Sequence, residues 1–188
     1  PDLEIPPFIS VGGGSEGPGF LGMAWAPFVV NANGQVRNLE MGLDDKRLLD
    51  RMSALDMIEN NFISEKRGSS ADDHKKILKK TLDLLTSKQM EAFKIDSEPE
   101  SVKKLYGIGE QPAPGQGGMA MRRLSQFNQG CLMARRLVQT GVPYVEVELG
   151  GWDNHRDVFN ILKNQQLPSL DRGMAALIQD LDQQGMLK

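Results

Sequence analysis

Residues 143–155, Pro-Tyr-Val-Glu-Val-Glu-Leu-Gly-Gly-Trp-Asp-Asn-His, decide how this chain is read. Over 143–149 the apolar residues Val145, Val147 and Leu149 alternate with Tyr144, Glu146 and Glu148. A period of two puts the first three on one face of a strand and the others on the opposite face. Gly150 and Gly151 then allow a sharp backbone turn. Asp153 and His155 lie two apart, so in an extended segment both project to the same side. Sites in α/β proteins form at the carboxyl ends of strands, which is where this loop falls. A carboxylate beside an imidazole suits zinc, iron or manganese better than calcium. A plainer reading is also open, with Asp153 capping the next helix, His155 in its first turn and Trp152 as an apolar anchor.

Working outward from the strand, an amphipathic helix precedes it at about 119–140. Leu124, Phe127, Cys131, Ala134 and Val138 trace one stripe, and Gly141 and Pro143 end it. Downstream the pattern predicts a helix over 156–164 and another over 167–184, closed by Gly185. Toward the amino terminus, residues 5–12 read as a strand followed by a glycine-rich loop at 12–19. Residues 20–31 read as a buried irregular segment ending in a short strand at Phe28–Val30, and Asn33-Gly34 as a tight turn. A helix at about 44–65 carries Leu48, Met52, Leu55, Ile58 and Phe62 on one face. Ser70 to Asp73 resembles a capping box opening a helix over 71–86. A short helix is expected near 87–94, and Ser97-Glu-Pro-Glu100 reads as a second capping box for a helix stopping at Gly107. Residues 107–118 are read as a flexible loop.

Composition narrows the function classes. The 188 residues are 39% hydrophobic and 6% aromatic, so a core must be built mainly from aliphatic side chains and Met. A formal net charge of −3 argues against a nucleic-acid partner. No apolar run reaches the length of a membrane span. The single cysteine, Cys131, excludes an intrachain disulfide and reads as a packing residue. The order of elements is that of an α/β protein with few parallel strands, many helices and a helical insertion at 44–106. So few strands cannot complete a sheet for so many helices, and with ends at Pro1 and Lys188 the chain is expected to be a fragment of one larger domain.

Other clusters have bland readings. Gly12, Gly14 and Gly17 fit G-x-G-x-x-G, but Pro18 and Gly19 stand where a dinucleotide-binding helix should open. His74 falls on a polar helix face. Arg122, Arg123, Arg135 and Arg136 read as a solvated face. Glu146 and Glu148 share a strand face and read as outward-facing or helix-pairing.

Three blocks resemble a known bacterial family, domain of unknown function 1501: GPGFLGMAWAPFVV at 17–30, FKIDSEPESVKKLYG at 93–107, and NQGCLMARRLVQTGVPYVEVELGGWDNH at 128–155 with LPSLDRGMAALIQDLDQQGML at 167–187. The family resembles sulfatases of the alkaline-phosphatase superfamily. The resemblance implies a partial alkaline-phosphatase-like fold over 1–188, a metal-dependent hydrolase of phosphate or sulfate esters, and an exported or periplasmic location. Its substrate would be a small-molecule or glycan ester, and its cofactor a divalent metal (zinc, manganese, iron or calcium). The Trp-Asp-x-His motif carries metal-ligand roles onto Asp153 and His155, with Gly150, Gly151, Trp152 and Asn154 supporting the loop. Asn154 stands where the family commonly has Thr. The nucleophile, and the further ligands expected on a downstream strand, are expected outside this chain, so the fragment alone is expected to be inactive. The alternative is a non-catalytic sulfatase-like binding or assembly protein that uses residues 44–106 as its interaction surface.

Overall fold

The computed structural model describes residues 3–13, 17–21, 25–33, 45–65, 83–84, 87–110 and 119–187. Three short strands, β1 (Phe8–Val11), β2 (Phe28–Val30) and β3 (Tyr144–Val147), form one parallel sheet in the order β2-β1-β3. Ile9 pairs with Phe28 and Val145, and Val11 with Val30 and Val147. Two further hydrogen bonds extend the ladder past the strand ends, from Gly12 N to Val30 O (2.9 Å) and from Glu148 N to Val11 O (3.0 Å). The α/β class expected from the pattern is therefore the observed one. β3 is shorter than the alternation, because Glu148 and Leu149 already belong to the loop.

The helices are α1 (Asp45–Ser64), α2 (Glu100–Leu105), α3 (Met119–Thr140), α4 (Val158–Ile161) and α5 (Leu167–Gln183). Short 3-10 turns at Lys88–Phe93 and Ile95–Ser97 precede α2. Helix α3 organises the rest. It lies on the sheet face that carries Ile9, Val11, Val145 and Val147, and α5 packs along it. Gly130 sets the approach: a Cβ there would stand 2.8 Å from Val147 Cγ1 and 3.3 Å from Val11 Cγ1, closer than atoms pack. Gly173 does the same on α5, where a Cβ would meet the Phe127 ring at 2.7 Å. Because α3 has the sheet on one side and α5 on another, Phe127, Cys131, Leu132, Met133 and Leu137 are all buried. The single stripe expected from the sequence is too narrow, and its last member, Val138, is exposed.

Three helices end in the same way. Gly107, Gly141 and Gly185 all have positive φ. The residue after each glycine donates back five positions, Ile108 to Lys103 O, Val142 to Leu137 O and Met186 to Leu181 O. This pairing satisfies carbonyls that the helix leaves without partners, and only glycine adopts the required left-handed turn without strain.

Several expectations need correction. The helix after Ser97 begins at Glu100 with Pro99 as its N-cap residue, so no capping box forms. Ser97 instead donates to Lys94 O (2.7 Å) within the preceding 3-10 turn. On α1, Ile58 is exposed while Glu59 is buried, so the inward face is rotated from the expected one. The two helices expected at 156–164 and 167–184 are one run, α4 and α5 joined by a π turn at Leu162–Gln166. Arg135 and Arg136 are not a solvated face. Arg135 is 4% exposed and pairs with Asp180 (2.9 Å) and Glu98 (2.7 Å), while Arg136 pairs with Glu98 and donates to the Ala92 and Glu91 carbonyls. Tyr106 Oη also donates to Asp180 (3.1 Å), so one buried polar cluster ties α2, α3 and α5 together. The capping box at Ser70, the helix over 71–86 except its residues 83–84, His74, the Asn33-Gly34 turn beyond Asn33, residues 111–118, and the side chains of Arg122, Arg123 and Leu124 lie outside the described residues. So does much of the 44–106 segment.

Candidate functional site at the carboxyl edge of the sheet

All three strands run the same way, so their carboxyl ends share one edge. From β1 the chain crosses to β2 on one side, whereas β3 joins β1 on the other. The order therefore reverses at β1, and the crevice outside the ends of β1 and β3 is where open α/β sheets bind ligands. Two segments line that crevice, Gly12-Gly13 after β1 and residues 148–155 after β3.

The second segment is held from within and from below. Gly151 turns the backbone at φ 91°. Trp152 Nε1 donates to Leu149 O (2.6 Å), tying the loop back to the end of the strand. Asn154 N donates to Trp152 O (3.0 Å). The buried Gln166, in the π turn, then clamps the loop at two points. It accepts from Asn154 Nδ2 (2.8 Å) and donates to Gly151 O. With Asn154 half-buried and turned toward Gln166, its neighbours Asp153 and His155 turn outward. Their side chains are 89% and 80% exposed, and His155 Nε2 lies 2.8 Å from Asp153 Oδ1. The geometry expected for residues two apart is thus present.

Helix capping, the plainer reading of Asp153, is not its role. The next helix starts at Val158 with Asp157 as its N-cap residue, at φ 49°. Asp157 accepts from Asn160 Nδ2 (2.8 Å), so the turn into the helix is completed without Asp153.

The separation of the Asp153 and His155 donors bears on metal binding. Two ligands at about 2.0–2.1 Å in a tetrahedral zinc site stand about 3.3 Å apart. The observed 2.8 Å is shorter than that edge and is an ordinary hydrogen-bond distance between two exposed side chains. The pair supplies two donors where a catalytic zinc takes three from protein. Among the described residues, no group of three or more His, Cys, Asp or Glu side chains could hold a metal. What the described residues offer here is an Asp–His pair open to solvent.

Sequence reasoning passed over two residues here. Glu148, expected on the strand face as an outward or helix-pairing residue, falls just past β3, and its carboxylate lies over Gly13, where a Cβ would sit 1.3 Å from Oε2. A glycine at that position is what lets a carboxylate reach the crevice between the two loops. Gln166 was read as part of a gap between helices. Its only sequence signal is the Pro168 that follows, which cannot continue an ordinary helical ladder. Cys131, read as a packing residue, is buried and its thiol is pushed up to about 12 by burial, far from the reactive range.

The fold and the loop together define a parallel α/β protein with an outward Asp–His pair at its sheet edge. The family model described as "Protein of unknown function (DUF1501)" matches residues 3–188, and the chain belongs to that family. No curated protein and no solved structure matches it. No helix among the described residues is long and apolar enough to cross a membrane.

Proposed function

We propose that Asp153 and His155 are two ligands of a divalent metal in a sulfatase-like hydrolase of phosphate or sulfate esters, completed by donors beyond the described residues. The observation that carries this reading is the placement of the pair. Both side chains project from the carboxyl edge of a parallel sheet, 2.8 Å apart, on a loop held by hydrogen bonds of Trp152, Asn154 and Gln166. A bound metal would supply Lewis-acid stabilisation of the oxygens at the reacting phosphorus or sulfur. The roles of the chain's own residues are separate. Asp153 and His155 would hold the ion, Gln166 and Asn154 fix the loop, and Trp152 ties it back to Leu149. Glu148, beside Gly13, adds a further carboxylate at the same edge.

The test uses the full open reading frame that contains this chain. Zinc or manganese binding is measured by calorimetry, and hydrolysis with aryl phosphates and aryl sulfates. Asp153→Ala and His155→Ala should each weaken metal binding by at least tenfold and remove most turnover. Undiminished metal affinity and turnover in both variants refutes the assignment. The competing reading, a non-catalytic binding protein of sulfatase-like descent, is favoured by the high exposure of the pair. It predicts no ester hydrolysis in the wild-type protein with any metal.

A further inference from the structure

The helical run Val158–Gln183 has two unlike sides. Ser169, Gly173, Ala176 and Asp180 are buried on the side that meets α3. The opposite side carries an apolar groove of about 970 Å³. Phe159 stands 89% exposed there, with Leu167 at 49%, Met174 at 47% and Ile178 at 51%. A contiguous apolar face of this kind marks an interaction surface.

We propose that this face binds a second copy of the same chain, the two α4–α5 runs packing antiparallel about a two-fold axis at Leu167. The argument is the self-complementarity of the face. In an antiparallel pair centred on Leu167, a residue a given number of positions before it faces the residue the same number after it. Lys163 then faces Asp171 of the second copy, and Phe159 faces Ala175. Both charged residues are exposed, and among the described residues neither is engaged in an ion pair within the chain. A helix receives a knob in a hole formed by residues i, i+3, i+4 and i+7. Asp171, Met174, Ala175 and Ile178 have that spacing, and all four line the groove. The small Ala175 is one of the four corners of this hole, the one opposite the protruding Phe159, and its size leaves room for the ring. An isologous interface repeats each contact, so the dimer has two Lys163–Asp171 pairs and two seated phenylalanines. The proposal is independent of the metal reading, because the groove and the Asp153–His155 pair use different residues.

Sedimentation velocity on this chain and on the full open reading frame, from low to high micromolar, provides the test. A concentration-dependent dimer is expected. Lys163→Glu and Asp171→Lys should each weaken it on the order of tenfold, because two attractive pairs become repulsive. Mixing the two single variants should restore association, since a heterodimer then has opposite charges at both positions. A change that merely disturbed the fold would not be rescued by mixing. Phe159→Ser, at an exposed position, should also dissociate the dimer while leaving the circular dichroism spectrum unchanged. The proposal is overturned if the protein stays monomeric throughout. It is equally overturned if the dimer ignores both charge reversals, if mixing fails to restore association, or if further chain in the full reading frame covers the groove and leaves it monomeric.

Discussion

Replacing Asp180 by alanine should be among the most damaging single changes in the α3–α5 interface. Asp180 is 2% exposed, and its Oδ2 accepts from Arg135 Nε (2.9 Å) and Tyr106 Oη (3.1 Å). Its removal strands a guanidinium N–H and a phenol O–H inside the protein. Breaking a buried ion pair at one end costs about 3–5 kcal/mol, mainly because the remaining charge is left uncompensated. Arg135 keeps Glu98 (2.7 Å) and Gln139 (2.8 Å), so the lower end, about 3 kcal/mol, applies. Urea unfolding followed by circular dichroism would show it. At a denaturant slope of about 2 kcal/mol per molar, the midpoint should fall by about 1.5 M. Asp180→Asn retains an acceptor of the same shape and should lose less. A fall below about 0.5 M for Asp180→Ala would refute the reasoning, since it would mean that the pair is hydrated and that α5 does not dock on α3 through it.

The same cluster gives the stability an acid limb. Burial alone would raise the Glu98 pKa, but the hydrogen bonds and charges of Arg135 and Arg136 outweigh it and hold the carboxyl below its ordinary 4.5. A depressed folded-state pKa means stability that is complete above the unfolded value and lost as pH falls through the folded one. Urea midpoints should therefore decline below about pH 4.5 in the wild type, and Glu98→Gln should lower the plateau and flatten that decline. Cys131, raised by burial, should resist iodoacetamide in the native protein and react fully in denaturant, as mass spectrometry would report. Gly173→Ala brings a methyl group to 2.7 Å from Phe127 Cε1 and 2.8 Å from Asn128 Oδ1, and should cost about 1–3 kcal/mol in the same urea assay.

Most features with a local cause were legible in the sequence, and those with partners far along the chain were not. The alternation at 143–149 located β3, and Phe28–Val30 is the strand expected there. Gly107, Gly141 and Gly185 marked helix ends because the left-handed turn is a requirement of one residue. Arg135 and Arg136 were misread because their partners Glu98 and Asp180 lie about 40 positions away and no helix periodicity points to them. Ser97 was misread because a local alternative, the bond to Lys94 O, competed with the cap. At the candidate site, the outward pairing of Asp153 and His155 follows from their spacing. The inward role of Asn154 depends on Gln166, twelve residues on, and Glu148 reaches Gly13 only because β3 lies beside β1.

Pro168 links these observations. It sits early in α5, inside a helical run that continues from α4. Its ring displaces the carbonyl four positions back, and it has no N–H to give to an ordinary helical ladder. The π turn at Leu162–Gln166 meets that constraint: the ladder steps back five residues, with Leu167 N donating to Leu162 O. Inserting one residue into a turn rotates everything on its amino-terminal side relative to α5. The face of α5 stays locked on α3 through Gly173 and Asp180, so the rotation falls on the segment before it. There it leaves Gln166 buried beneath the loop, bonded to Gly151 and Asn154. Asp153 and His155 share a side because they lie two apart, and the loop that carries them rests on Gln166, in a turn that accommodates Pro168 and leads into a helix held by a buried ion pair at its far end.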